Sequence, residues 1–456
     1  MFKQIIILIS FLGTPLFAQY LDRNVPLFYS TYAKEYTVQF QALHLTPFKN
    51  LNEVAALSPE QKQYFVNTKI HSTLRYIFGP MTHRALGGVQ RGLQVNVNWQ
   101  APVTQQGQIY VPYVYKATWL IGPRFLQSSQ LIPVPFTSTL LNTPQWIHCS
   151  DSSHGDPQLS MLWYYWDPTR AGCDHKENQH YQIVKVDLLN QTEMQKNTAP
   201  EYDRMFRRVS QSEGVYTLTF AFGYVETPQQ TNPDMDRDSG AYEYQKFLRF
   251  MREKTGNVFQ EQPIFQREYG ARPPLDGKIM GHRFISQRGN VRIQLNVVMA
   301  GDVDQMDIFS KSFARDHESF FGWFGHSRVG LGFDSDHLIR KLRTEPQRYS
   351  ITNKYQLVYW AGCNSYSYYT VPFFDLKKSL QDPNGTKNLD IVSNGLPSYF
   401  ALNAINAQVM AKHLLAWQSR STYHTMINDL EFEAHKRGFR DVLINVLGDE
   451  DNNRSR

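Results

Sequence analysis

Two apolar stretches late in the chain, each closing on glycine and then a chemically active side chain, constrain the fold more than any other feature. The first reads Glu318-Ser-Phe-Phe-Gly-Trp-Phe-Gly-His326 and the second Tyr355-Gln-Leu-Val-Tyr-Trp-Ala-Gly-Cys363. Near-continuous apolar runs of this length suit strands buried on both faces, as in a parallel sheet. Between them, Ser335-Asp-His-Leu-Ile-Arg-Lys-Leu342 is apolar at 338, 339 and 342, which predicts a short helix. Strand, helix and strand then form one crossover unit, and such a unit opens both strand ends onto the same edge of the sheet. An imidazole and a thiol delivered side by side are the two parts that a cysteine nucleophile requires.

The surrounding pattern extends this unit. Val215-Tyr-Thr-Leu-Thr-Phe-Ala-Phe-Gly223 is another buried strand, followed by a helix over 241–254 whose Tyr244, Phe247, Leu248 and Met251 make one stripe. Strands over 291–299, 389–394 and 441–447 alternate with helices near 305–314, 366–376 and 401–420. The alternation predicts a doubly wound, mostly parallel α/β domain over 211–448, with His326 ending its third strand and Cys363 its fourth. Arg328, Asp334, Asp390 and Asn394 fall in loops or strand ends that such a sheet could bring to the same edge, where each is a candidate for a substrate pocket. Segments 227–237 and 259–278 read as surface excursions, and 449–456 as a polar tail.

The first half differs in style. Leu93-Gln-Val-Asn-Val-Asn-Trp99 alternates with period two, and 108–121 is a long aromatic-rich stretch, so residues 19–210 read as a mainly β domain. One helix is expected from an N-cap at Ser58, with Pro59 first in the helix, to a stop at Gly79-Pro80. At the very start, Met-Phe-Lys precedes the apolar run from Gln4 to Leu12 and a small residue at Ala18, the pattern of a secretory signal peptide over 1–18. That run is too short to span a bilayer, and no later segment is long and apolar enough to do so. The mature chain is therefore expected to be exported, periplasmic, envelope-associated or secreted.

Export gives the cysteines their meaning. The chain has three, an odd number, which leaves one thiol over after a single pairing. Cys149 and Cys173 are close in sequence and suit a local disulfide, with Cys363 free. The neighbourhood His148-Cys149-Ser-Asp151-Ser-Ser-His154-Gly-Asp156 and Cys173-Asp-His175 also offers zinc-type donors, but without the paired spacings that mark a zinc site. The disulfide is the expected outcome, with no metal. Within the enclosed loop, Leu162-Trp-Tyr-Tyr-Trp-Asp-Pro168 would stack on sugar rings if exposed and would be core if buried.

A net charge of +6 without a block of consecutive basic residues gives no footprint for nucleic acid. No Gly-x-Ser-x-Gly elbow follows a strand, and no phosphate-binding glycine fingerprint stands between strand and helix. The Gly-His326-Ser and Ala-Gly-Cys363 strand ends resemble the clan of cysteine peptidases that includes caspases, legumain, clostripain, separase and gingipains. In that clan one apolar strand ends in His-Gly and the next in Ala-Cys or Gly-Cys. Here glycine precedes His326 and serine follows it, which departs from the pattern. The resemblance implies a caspase-like C-terminal domain in which Cys363 is the nucleophile and His326 the base. It also implies a protein or peptide substrate and no cofactor. Other readings are a non-catalytic envelope or adhesion protein with the same fold, and a carbohydrate or cell-wall binder acting through the β domain.

Overall fold

The computed structural model describes residues 33–89, 94–139, 148–150, 166–192, 198–208, 214–226, 237–255, 258–265, 268, 279–314, 318–327, 335–346, 351–449 and 452. The expected signal peptide over 1–18 lies outside them. Two sheets carry the molecule. The first is antiparallel, with β1 (Lys34–Leu45), β2 (Gly87–Val89), β3 (Gln94–Val97), β4 (Val103–Gln105), β5 (Gln108–Ile121) and β8 (Asp187–Thr192). Its path runs β2-β5-β1-β8, with β3 and β4 also paired to β5. A separate ribbon joins β6 (Leu131–Pro135) to β7 (Tyr181–Lys185). Val38, Phe40, Tyr113, Tyr115, Trp119 and Ile121 fill the core beneath this sheet.

Gly79-Pro80 does not stop the helix begun at Ser58. After a turn of wider helix over Val66–Ile70 and two short segments, the chain continues helically as α1 (Phe78–His83). Pro80 sits in the first turn of α1, where a proline is tolerated. Gly79 is needed for a different reason: a Cβ there would lie 1.8 Å from the Trp166 carbonyl oxygen.

The second sheet has nine strands in the order β11-β12-β13-β10-β14-β15-β16-β17, with β9 (Arg207–Arg208) paired to β10. Five central strands run parallel: β13 (Val291–Ala300), β10 (Gly214–Gly223), β14 (Glu318–Phe324), β15 (Gln356–Trp360) and β16 (Leu389–Asn394). The flanks are antiparallel. On one side lies the hairpin of β11 (Gln260–Phe265) and β12 (Ile279–Arg288), and on the other β17 (Ile444–Leu447). Part of 259–278 is thus an edge strand rather than a loop, and the last strand runs against its neighbour.

Helices cover both faces, as buried strands demand. On one face, α2 (Ser239–Thr255), α6 (Asn403–Leu415) and α7 (Tyr423–Lys436) pack over Leu218, Phe220, Phe222, Leu357 and Tyr359. On the other, α3 (Asp302–Ala314), α4 (Ser335–Thr344) and α5 (Ser365–Lys377) cover Ala221, Phe321, Trp323, Val358 and Trp360. Leu120 of the first sheet joins this second cluster, so the two halves share core. The structure combines a mixed sheet with helices on both of its faces; among the described residues no helix is long and apolar enough to cross a membrane.

Candidate functional site

The site grows from three close-packed glycines at the C-terminal ends of β10, β14 and β15. A Cβ on Gly223 would meet the Trp323 ring at 2.6 Å, one on Gly325 would meet the same ring at 2.8 Å, and one on Gly362 would lie 3.1 Å from the Gly325 carbonyl. Only glycine lets these three chain segments approach so closely, and the approach brings the loop of His326 against the turn of Cys363. The Trp323 indole N–H then donates to the His326 carbonyl at 2.9 Å, and the Ala361 amide donates to the Trp323 carbonyl at 2.9 Å. The two loops are thereby tied to one another.

Cys363 is half-buried and lies where β15 turns into α5. The next residue, Asn364, takes a left-handed conformation (φ 48°, ψ 31°) at the N-cap of α5. That turn brings the thiol to the helix N-terminus, where oriented peptide dipoles favour a developing thiolate. Burial works the other way and pushes the thiol up, while the hydrogen bond from the Ser398 amide opposes it. Sγ sits 3.4 Å from the Ser398 nitrogen and donates to the Ser398 carbonyl at 3.7 Å.

His326 Nε2 lies 3.2 Å from the Val225 carbonyl oxygen. A carbonyl only accepts, so the proton at this contact is on Nε2, and in the neutral ring Nδ1 is left as the acceptor. Val225 is itself held, because Asp238 accepts from the amides of Val225, Glu226 and Ala241 while capping α2. The imidazole also meets the Phe400 ring edge-on at 4.7 Å. Ser398 and Phe400 belong to the same short segment after β16, so one segment touches the thiol through its backbone and the imidazole through a ring. The imidazole, with Nε2 held by Val225, thus sits on a loop packed against the turn that carries the thiol at a helix N-terminus, and an imidazole and a thiol are the two groups that attack on an acyl carbon by sulfur requires.

The pocket candidates fare differently. Asn394, the last residue of β16, is at this edge, but it is buried and braces the turn: its amide donates to Ser365 Oγ at 2.8 Å and its Nδ2 to the Gly362 carbonyl at 3.4 Å. Asp390 is not at this edge, contrary to expectation. It sits near the start of β16, fully buried, and its Oδ2 accepts from Tyr355 at 2.5 Å and from Tyr423 and Asn452. A strand residue one register from its N-terminal end cannot face the C-terminal edge. Arg328 and Asp334 lie outside the described residues. Val225, Ser398 and Phe400 carried no sequence signal, because each acts through backbone or a single ring contact.

Cys149 and Cys173 form a disulfide, leaving Cys363 as the free cysteine. His175 is the remaining donor of the expected alternative: its ring and both sulfurs fall within 4.8 Å of each other, and its Nδ1 accepts from Trp166 at 3.0 Å. With both sulfurs bonded to each other, no pair of thiolates is left to hold a metal. Asp151, His154 and Asp156 lie outside the described residues. Trp166 is buried against Tyr76, Cys149 and Tyr181, so it is core and not a stacking platform. No protein-family model, no curated protein and no solved structure matches the chain.

Proposed function

We propose that the chain is an exported cysteine endopeptidase-like enzyme that uses Cys363 and His326 for acyl transfer. The observation that carries this reading is the delivery of both residues by neighbouring parallel strands to one edge, where the segment of Ser398 and Phe400 contacts both. The mostly parallel sheet with helices on both faces supports a caspase-like domain behind that site. Export is supported by the disulfide and by the signal-like start of the sequence.

In the proposed step the thiol rests protonated, as its burial favours. The S–H proton passes to Nδ1 of His326 while sulfur bonds to the acyl carbon of a peptide. The imidazolium then gives that proton to the departing amine as the C–N bond breaks, leaving a thioester. Water, losing a proton to the neutral imidazole, hydrolyses the thioester and restores the thiol. Replacing Cys363 with Ala is expected to abolish cleavage of a peptide library while leaving the fold intact; cleavage by the folded variant would refute the proposal.

A second reading, a non-catalytic envelope or adhesion protein with the same architecture, draws on one observation. The polar contacts of the Cys363 sulfur go to the backbone N–H and C=O of Ser398, and burial keeps it a thiol. Absence of any His326-dependent thiol reactivity would favour it.

A further inference from the structure

The turn that presents Cys363 is not held by its own domain alone. Asn364 is fully buried and left-handed, a conformation that a Cβ disfavours, so it persists only where its surroundings fix it. Its amide donates to the Leu396 carbonyl at 3.1 Å, and its side-chain Nδ2 donates to Thr82 Oγ1 at 3.1 Å and to the Gly395 carbonyl at 3.4 Å. Thr82 is buried and belongs to α1 of the N-terminal half, 282 residues away in sequence.

The same half grips the segment that touches both candidate catalytic side chains. A Cβ on Gly88 of β2 would lie 2.9 Å from the Gly395 carbonyl and 3.1 Å from the Tyr366 ring. A Cβ on Gly395 would lie 2.7 Å from the Leu120 side chain. Gly395 stands three residues before Ser398. Further along α5, Tyr366 donates to Glu35 at 2.6 Å, and Tyr368 stacks on Phe78 at 6.1 Å.

We propose that the N-terminal β domain is a working part of the Cys363 site, with Thr82 as a positioning residue that fixes the Asn364 turn and the β2 edge at Gly88 fixing the Gly395–Phe400 segment. Its consequence for reactivity rests on the reading of Cys363 and His326 as a dyad; the positioning itself does not. Loss of the Thr82 hydroxyl leaves a buried amide N–H short of an acceptor and loosens the turn, and the sulfur no longer holds its place relative to the imidazole.

The test uses the full chain with Thr82→Val, Thr82→Ser and, independently, Gly88→Ala. Amide hydrogen exchange is followed over 361–366 and 394–400, together with iodoacetamide labelling of Cys363. Thr82→Val and Gly88→Ala are expected to raise exchange in both segments about tenfold, as loss of one buried hydrogen bond would. They are also expected to lower the His326-dependent part of labelling by a similar factor. Thr82→Ser, which keeps the hydroxyl, is expected to match the parent. Exchange in Thr82→Val and Gly88→Ala equal to the parent would overturn the proposal. If parent labelling is indifferent to His326, the dyad reading fails, while the exchange data still decide the positioning role.

Discussion

Adding a single methyl at Gly223 should damage both the sheet and the site. A Cβ there would come within 2.6 and 2.7 Å of two Trp323 ring carbons, so the indole would have to retreat by most of an ångström. It has little room, since Trp323 is buried, with the Phe309 ring centroid 5.1 Å away. Retreat also breaks the 2.9 Å hydrogen bond from the indole to the His326 carbonyl. Overpacking of this kind costs about 1–3 kcal/mol, and the hydrogen bond adds about 1, so Gly223→Ala should lose about 2–4 kcal/mol. Equilibrium urea unfolding measures the loss, and Cys363 alkylation reports whether the His326 loop has moved. Trp323→Phe separates the two contributions, because it removes the N–H without adding bulk: it should lose the alkylation effect of His326 at a smaller stability cost. A Gly223→Ala protein within about 0.5 kcal/mol of the parent, with unchanged alkylation, would refute the claim that these glycines set the site.

Replacing Cys149 and Cys173 together by Ser should cost roughly 3 kcal/mol, since the disulfide closes a loop at a sequence separation of 24; thermal unfolding with and without reductant checks it. His44 is buried, and burial pulls its pKa down to about 3. It must therefore stay neutral to fold, so its contribution is fully present above its ordinary pKa and is lost as pH falls toward 3. His44→Phe should remove on the order of 4 kcal/mol of acid sensitivity in this window, seen as a flatter acid limb in pH-dependent unfolding. Burial pushes the Asp390 carboxyl far up, although three donors oppose it. A raised carboxyl stabilises the fold at pH below its unfolded value and loses that contribution as pH rises. Asp390→Asn should thus be at least as stable as the parent near neutrality and less sensitive to alkali; a loss above about 2 kcal/mol at pH 7 would contradict the upward direction of this shift.

What could be read from the sequence was governed by local pattern. The strands ending at His326 and Cys363 announce themselves because each is a near-continuous apolar and aromatic run after a polar start, and all seven residues of β14 and all five of β15 are indeed buried. The disulfide was legible because, under the expectation of export, an odd cysteine count and two cysteines close in sequence point to one local pair. The β11–β12 edge hairpin was not: four of the six β11 residues are exposed, and Gln260-Glu-Gln-Pro263 looks like loop. Nor was α7, since the expected helix over 401–420 ends at Leu415, and Arg420 takes a left-handed turn before Thr422 caps the next helix. The direction of β17 is a long-range property that its four apolar residues do not encode. Asp390 misled although it stands second in the expected strand 389–394: in a parallel sheet that end lies away from the edge that carries His326 and Cys363. Thr82 and Asn364 could not be linked at all, being joined only once the two halves pack.

The most direct measurement is the pH dependence of Cys363 alkylation in the purified full chain, with His326→Ala alongside. The dyad predicts that His326→Ala slows labelling at neutral pH at least tenfold and removes the neutral limb of the profile, leaving labelling that rises only where a buried thiol ionises. Superimposable profiles for the two proteins would contradict it.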